Sequence, residues 1–298
     1  MSALRFGTVP ILWNNDDVPE LTPAVPFERV LDEVQQAGFA GTELGTNYPR
    51  DPEVLKAALD ARGLTLSGAY YCPGLTDGHS VATALNEVNA FLDFLAAAGC
   101  GTLIAAEPIT KERARVAGRV MEAGARTLRD DEWENLADAL NELGARCQAR
   151  GLQLAFHNHA GTFVETPTEL KKLMNLTDPQ LVGLCLDTGH YAYGGGKPAE
   201  AIDTYRWRLR YVHLKDLDGA VKESVVRHGL DFLEALRRRV FTELGAGTAD
   251  LAAVAAKLRE IDYDGWVVAE QDTSKLAPLE AATRNRRALA DLFERADA

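Results

Sequence analysis

One unit recurs along this chain and limits its fold more than any other feature: a helical stretch that stops at a glycine and hands over at once to a short apolar strand. It is legible in VQQAGFAGTELG, LDARGLTLSGAYY, LAAAGCGTLIAAE and CQARGLQLAFHNH, and again in LREIDYDGWVVAEQD, where a residue pair takes the glycine's part. Glycine just past a last helical turn adopts the left-handed conformation that a Cβ penalises, so the chain reverses there and re-enters the core. The strands that follow are apolar without alternation, which marks them as buried on both faces. Five copies of helix, cap and strand predict βα units throughout, with parallel strands joined by right-handed crossovers.

The apolar runs give eight strands, at Leu4–Trp13, Gly41–Leu44, Leu64–Tyr71, Thr102–Ala106, Gln153–His157, Val182–Leu186, Tyr211–His213 and Trp266–Glu270. Eight such units close most naturally into a (β/α)8 TIM barrel, expected as one domain over residues 1–298. A doubly wound sheet is the alternative, and no GxGxxG follows the first strand to favour it. A charged excursion over 109–130 reads as a helical insertion, either a candidate lid or homo-oligomer contact or a solvated surface helix.

The net charge of −12 would repel a phosphate backbone, so a nucleic-acid partner is not expected. No basic start precedes a long apolar region and no run is long enough to span a bilayer, which predicts a cytoplasmic protein without a membrane partner. The cysteines, Cys72, Cys100, Cys147 and Cys185, show no CxxC spacing and read as free thiols, with Cys72 a candidate pocket wall.

Chemistry concentrates at the strand ends. In a parallel barrel the C-terminal ends of the strands meet at one mouth. This chain brings there Trp13, Asn14 and Asn15; Glu43; Glu107; His157 and His159; Asp187 and His190; His213, Lys215 and Asp216; Glu270 and Asp272, a set holding four of its six histidines. Mixed imidazole and carboxylate groups suit a borderline divalent ion such as Mn, Co or Zn, whereas Mg or Ca would favour an all-oxygen shell.

Several stretches together, WNNDDVPEL, FAGTELGTNYP, HNHAGTFVET, LDTGH, HLKD, FTELGAG and WVVAEQD, make the chain similar to the inosose dehydratases of inositol catabolism, within the xylose-isomerase-like barrel superfamily. The resemblance covers nearly the whole chain. LDTGH and HLKD indicate the superfamily, and the WNNDD start and EQD end are more specific. The resemblance implies one divalent metal at the ends of strands five to eight, with Asp187, His213 and Glu270 as ligands. Strand five departs from the superfamily pattern of Glu and offers His157; His159, Glu165 or water are the alternatives for the fourth place. It further implies Mn or Co, and a glutathione dependence for which these residues give no reason.

The implied reaction removes water from 2-keto-myo-inositol, a small cyclic polyol ketone. It needs a Lewis acid at the ketone, a base for the α proton and an acid for the departing hydroxyl. Glu43 or His190 is the expected base, and Lys215 the acid or enolate partner, or else a structural ion pair. Trp13, Asn14, Asn15, His159 and Asp216 are the expected substrate contacts, with packing at the barrel rim the alternative for Trp13. An epimerase or isomerase acting on ketoses is the rival reading, because enolisation begins identically.

Overall fold

The computed structural model describes residues 4–21, 23–76 and 78–293; the ends of the expected 1–298 domain lie outside the described residues. Eight strands form a closed barrel: β1 (Arg5–Thr8), β2 (Gly41–Glu43), β3 (Thr65–Tyr71), β4 (Thr102–Ala105), β5 (Gln153–His157), β6 (Val182–Asp187), β7 (Leu209–Leu214) and β8 (Trp266–Ala269). Each pairs in parallel with its sequence neighbours, and β8 closes on β1 through the register Arg5↔Trp266 to Thr8↔Ala269. Helices Phe27–Ala37, Pro52–Asp60, Gly78–Ala97, Asp130–Gln148, Pro167–Leu176, Pro198–Tyr205, Leu251–Glu260 and Pro278–Phe293 form the outer ring. The first buries Val30, Leu31, Val34 and Ala37, residues one helical turn apart.

The caps that the repeat predicts are left-handed. Gly38 has φ +88°, and Gly63, Gly99 and Gly151 follow it; in the fifth copy Asp262 adopts φ +51°, a conformation that Asp tolerates better than most side chains.

Three features depart from the sequence reading. The first strand ends at Thr8, because Pro10 brings no amide hydrogen to a ladder and instead opens a 3-10 turn, Pro10–Leu12. The 109–130 excursion carries a single helical turn, Lys111–Ala114, and is otherwise turns. It is clamped by Arg113, fully buried, whose guanidinium donates to Glu169 at 2.7 and 2.9 Å and to the Arg126 carbonyl at 3.2 Å. Beyond β7, an unforeseen roof rises: Asp216–Leu217 pairs antiparallel with Phe241–Thr242, and helices Gly219–Arg227 and Phe232–Arg237 lie between. Phe232, Phe241, Leu217 and Val225 pack there with Val18 and Ala160 from other loops and Tyr193 from the helix Thr188–Tyr193.

Inside the barrel, Ile104, Ala155, Cys185, Tyr211, Trp266 and Val268 make an apolar plug, with the Tyr211 hydroxyl donating to Ser67 at 2.9 Å. The bulk of this layer is fitted by small residues opposite. A Cβ on Gly41 would lie 2.7 Å from the Trp266 ring and 2.5 Å from the Thr65 carbonyl oxygen, a backbone atom that cannot swing aside. Gly41→Ala is therefore expected to cost about 1–3 kcal/mol through overpacking; a chemical-denaturation midpoint equal to wild type would show that the barrel absorbs the methyl group.

A candidate metal centre at the strand ends

Side chains alternate along a strand, so residues two apart share a face. Below the mouth that face is apolar: Ala155 on β5, Cys185 on β6, Tyr211 on β7, Val268 on β8. One step further, the same face presents His157, Asp187, His213 and, just past β8, Glu270. The register pairs Asp187 with His213 and His213 with Val268, so these ends are level enough to meet. One ligand atom from each of the four residues lies within 4.8 Å of all the others, and all four are buried.

None of these atoms makes a hydrogen bond of ordinary geometry. Both ring nitrogens of His157, Asp187 Oδ2, His213 Nδ1 and Glu270 Oε2 are buried without one. His157 Nε2 lies 3.5 Å and His213 Nδ1 3.9 Å from Asp187 Oδ2, and His213 Nδ1 touches Glu270 Oε2. Buried polar atoms are nearly always satisfied, so a converging set that is not points to an ion as the missing partner. Electrostatics agree. Burial alone would lower the His213 pKa, but Cys185, Glu270 and Glu43 outweigh it and hold the imidazole well above its ordinary value, as positive charge is wanted there. Imidazole and carboxylate donors fit a divalent cation of the first transition row or zinc.

The remaining atoms of these ligands are fixed by their neighbours. Asp187 Oδ1 caps the helix Thr188–Tyr193 by accepting from the His190 amide at 2.6 Å. Asn158, a residue to which the sequence reading gave no role, ties β5 to β6 by exchanging two bonds with the Asp187 backbone, at 3.1 and 3.2 Å. Its signal was the HNH triplet itself, in which the middle residue must face away from its neighbours. Glu43 Oε1 lies 2.6 Å from His213 Nε2.

Lys215 forms a layer behind the ligands. It is fully buried and does not line the cavity, so the expected role as an acid touching substrate is corrected: its Nζ donates to Glu270 Oε1 at 2.8 Å, forms an ion pair with Asp272 Oδ2 at 3.0 Å and sits 3.7 Å from Asp187 Oδ2. Burial works against its charge, yet Asp272, Glu270 and Asp187 prevail and raise its pKa above the ordinary. LDTGH is built around this side chain. Thr188 Oγ1 bonds both the Lys215 carbonyl and amide, at 2.7 and 2.9 Å, and a Cβ on Gly189 would stand 2.6 Å from Lys215 Cγ. His190 is likewise corrected as a base: fully buried, it lies 3.0 Å from Lys215 Nζ, accepts from the Ala160 amide at 3.2 Å and packs on Phe241. Burial, together with His159 and Lys215, holds it neutral, well below its ordinary pKa.

Three expected substrate contacts also fall elsewhere. Trp13 is wholly buried and its indole donates to Glu33 at 2.6 Å, because the chain has already turned away at Pro10. Asp216 accepts four backbone amides, those of Leu217, Gly245, Gly247 and Ala249, and so organises the FTELGAG loop. Asn15 donates to the Asp272 carbonyl at 2.7 Å and accepts from the amides of Asp17 and Val18. Asn14 does line the cavity, though both ends of its amide are engaged by the Val25 backbone. Glu165 lies away from the metal cluster and bridges the Gly118 and Gly161 amides at 2.7 and 2.6 Å, with burial pushing its carboxyl up to about 7. Glu107 accepts from the Leu75 amide at 2.8 Å.

Above the four ligands opens a cavity of about 440 Å³. His157, His213 and Glu270 form its floor; Asp16, Asp17, Glu43, Tyr70, Cys72, His159, Asp272, Pro108 and Ile109 are among its walls. Tyr70 and the two aspartates were not foreseen; the strand-end position of YYCPG and the NNDD run were the available signals. Burial pushes Asp272 up to about 6 against the pull of Lys215, and pushes His159 down to about 3, with His157 and Lys215 adding to the effect.

A closed parallel barrel with a mixed-ligand cation site at the ends of its last four strands is a xylose isomerase-like TIM barrel, and the family of that description matches residues 31–292. An inosose dehydratase of Clostridium botulinum (strain Alaska E43 / Type E3) is 37% identical over 286 residues, 95% of either chain. Another, of Geobacillus kaustophilus (strain HTA426), is 38% identical over 280 residues, 93% of this chain and 91% of that one. Among solved structures, an IolI protein crystallised with a binding zinc atom aligns with a TM-score of 0.74 over 98% of this chain and 99% of its own, at 16% identity, a likeness of fold. The chain belongs to the inosose dehydratase family.

Among the described residues no helix is long and apolar enough to cross a membrane. Asp187→Ala and His157→Ala are each expected to weaken divalent-metal binding by at least ~10-fold, since each removes a donor from a shell of four. Calorimetric titration of the metal-stripped proteins measures this, and wild-type affinity in both variants would dissolve the proposed centre.

Proposed function

We propose that the protein removes water from 2-keto-myo-inositol to give a trihydroxycyclohexane-1,2-dione, using a divalent metal held by His157, Asp187, His213 and Glu270. The observation that carries this reading is the convergence of those four donors at the base of a cavity whose floor shows His157, His213 and Glu270 and whose described wall holds no lysine or arginine. A phosphorylated sugar would need such a cation to meet its phosphate. A neutral polyol ketone needs none. The inosose dehydratases among its relatives supply the substrate.

The chemistry closes without an oxidant. A proton leaves the carbon next to the ketone and hydroxide leaves the carbon beyond, the two departing as water. The first of these carbons also bears a hydroxyl, so the new double bond is an enol, which tautomerises to the second ketone. When bound, the metal supplies Lewis-acid polarisation of the ketone, for which Mn, Co or Zn would serve.

The chain's own groups handle the protons. Asp17 is the base: its carboxylate lines the cavity with no partner among the described residues, and Asn15 fixes its backbone amide at 2.8 Å. Asp17 is exposed at the rim, and the desolvation it meets beside the cavity, opposed by Lys215, raises its pKa, which brings a carboxylate closer to the range of an effective base. His159 binds a hydroxyl: Nδ1–H donates to the Ala160 carbonyl at 2.8 Å, which leaves the Nε2 lone pair free to accept.

Two measurements test this. Incubating the Mn-loaded protein with 2-keto-myo-inositol should produce the ultraviolet absorbance of the dione, while ketoses should not interconvert; sugar interconversion without dione would assign the epimerase reading instead. Asp17→Asn, which preserves size and removes the base, should lower kcat by about 10²–10⁴-fold with metal affinity intact. Undiminished turnover would remove Asp17 from the reaction.

A further inference from the structure

We propose that Glu43 is a positioning residue, whose carboxylate fixes the His213 ring so that Nδ1 faces the cation site, and that it is not the base that takes the substrate proton. This rests on the metal centre proposed above. Glu43 Oε1 and His213 Nε2 lie 2.6 Å apart, between side chains each 2% exposed. With an ion taking the Nδ1 lone pair, the single hydrogen of the neutral imidazole sits on Nε2, and the Glu43 carboxylate, which only accepts, receives it. Nδ1 is the nitrogen turned to the other donors, 3.9 Å from Asp187 Oδ2 and in contact with Glu270 Oε2.

The backbone of β2 also meets an irregularity at this residue. Its pairing with β3 slips between Thr42 and Glu43: Thr42 opposes Leu66, but Glu43 opposes Gly68. The extra residue is Ser67 of β3, where ladder regularity is given up, and Glu43, set opposite Gly68, spans the barrel interior to a strand 170 residues on. Without its acceptor the imidazole could turn about its Cβ–Cγ bond and withdraw Nδ1, and ligand orientation of this kind commonly decides metal affinity.

The test uses the full-length protein stripped of metal and titrated with Co2+ alone, in wild-type, Glu43→Ala and Glu43→Gln forms, with calorimetry, the visible Co2+ spectrum and turnover as readouts. Alanine removes the acceptor, and glutamine keeps an oxygen in its place without the charge or basicity. The expected result is a Co2+ affinity about 10–100-fold weaker and an altered visible band in Glu43→Ala, with affinity, band and turnover all restored towards wild type in Glu43→Gln. Wild-type affinity and spectrum in Glu43→Ala would overturn the proposal. So would a loss of kcat of ~10²-fold or more in Glu43→Gln with Co2+ bound normally, the signature of a base. Should Glu43→Ala fail to fold, turnover of Glu43→Gln decides between the two roles. Absence of Co2+ binding by the wild-type protein would instead overturn the metal centre itself, and the role of Glu43 with it.

Discussion

Placing carboxylates and imidazoles inside a barrel without partners is what a cation repays, and the mouth of this protein is arranged around that debt. A buried polar atom that loses its hydrogen bond costs about 1–3 kcal/mol. His157, Asp187, His213 and Glu270 each contribute at least one such atom to the same small volume. Against a net stability of about 5–15 kcal/mol for an ordinary domain, several of these together are a large fraction. An ion that binds the folded chain and not the unfolded one adds its binding free energy to stability. The centre and the fold are thus coupled, and the surrounding structure reads as a device for holding four donors still.

That device is a change of character along one face of the barrel. The plug of Tyr211, Trp266, Cys185 and Val268 is dry and closely packed, and the next inward residue on each late strand is polar. The plug keeps water from reaching the ligands from below, while Lys215 balances charge from the side. Its ammonium lies over the Phe241 ring at 4.6 Å and against Glu270 and Asp272, so it offsets carboxylate charge, including that of Glu270, which a metal would share, without occupying the place of the ion. A fixed cation here limits how much negative charge the site must shed when empty. The roof of Phe232, Phe241 and Tyr193 then closes over His190 and Lys215, which is why both are second to the ligands and not at the cavity wall.

Much of this was legible before any coordinates. The left-handed caps gave the crossover points, and apolar runs gave strands whose ends differ from expectation mostly by one or two residues. That Asp187, His213, Glu270 and His157 would converge followed from parallel strands having one common mouth. Direction was not legible. A strand-end residue faces the cavity, a neighbouring loop or the layer behind, and spacing alone does not choose: Asp216 turned to four loop amides, Trp13 to Glu33 and Lys215 inward. The roof was missed because its strands are two residues each, too short for any period to show. The slip between β2 and β3 was invisible for a related reason, since it depends on how two strands pair and leaves no mark in the local sequence.

The distribution of groups around the mouth also bears on what can sit there. Taken around the barrel, the ends of β5 to β8 carry the donors, and the loop after β1 carries Asp16 and Asp17. The intervening arc from β2 to β4 contributes the Glu43 carboxylate, tied to His213, and otherwise Leu44, Tyr70, Pro108 and Ile109, together with the Cys72 thiol, which burial pushes up to about 12 and so keeps from acting as a base. One arc thus offers charge and lone pairs, and the facing arc offers flat or apolar surface. A six-membered ring whose edge bristles with oxygens and whose faces are largely C–H matches both arcs at once. An extended chain ending in phosphate would leave its charge against Leu44 or Ile109, without a cation to meet it, and that desolvation cost selects against it before any chemistry begins.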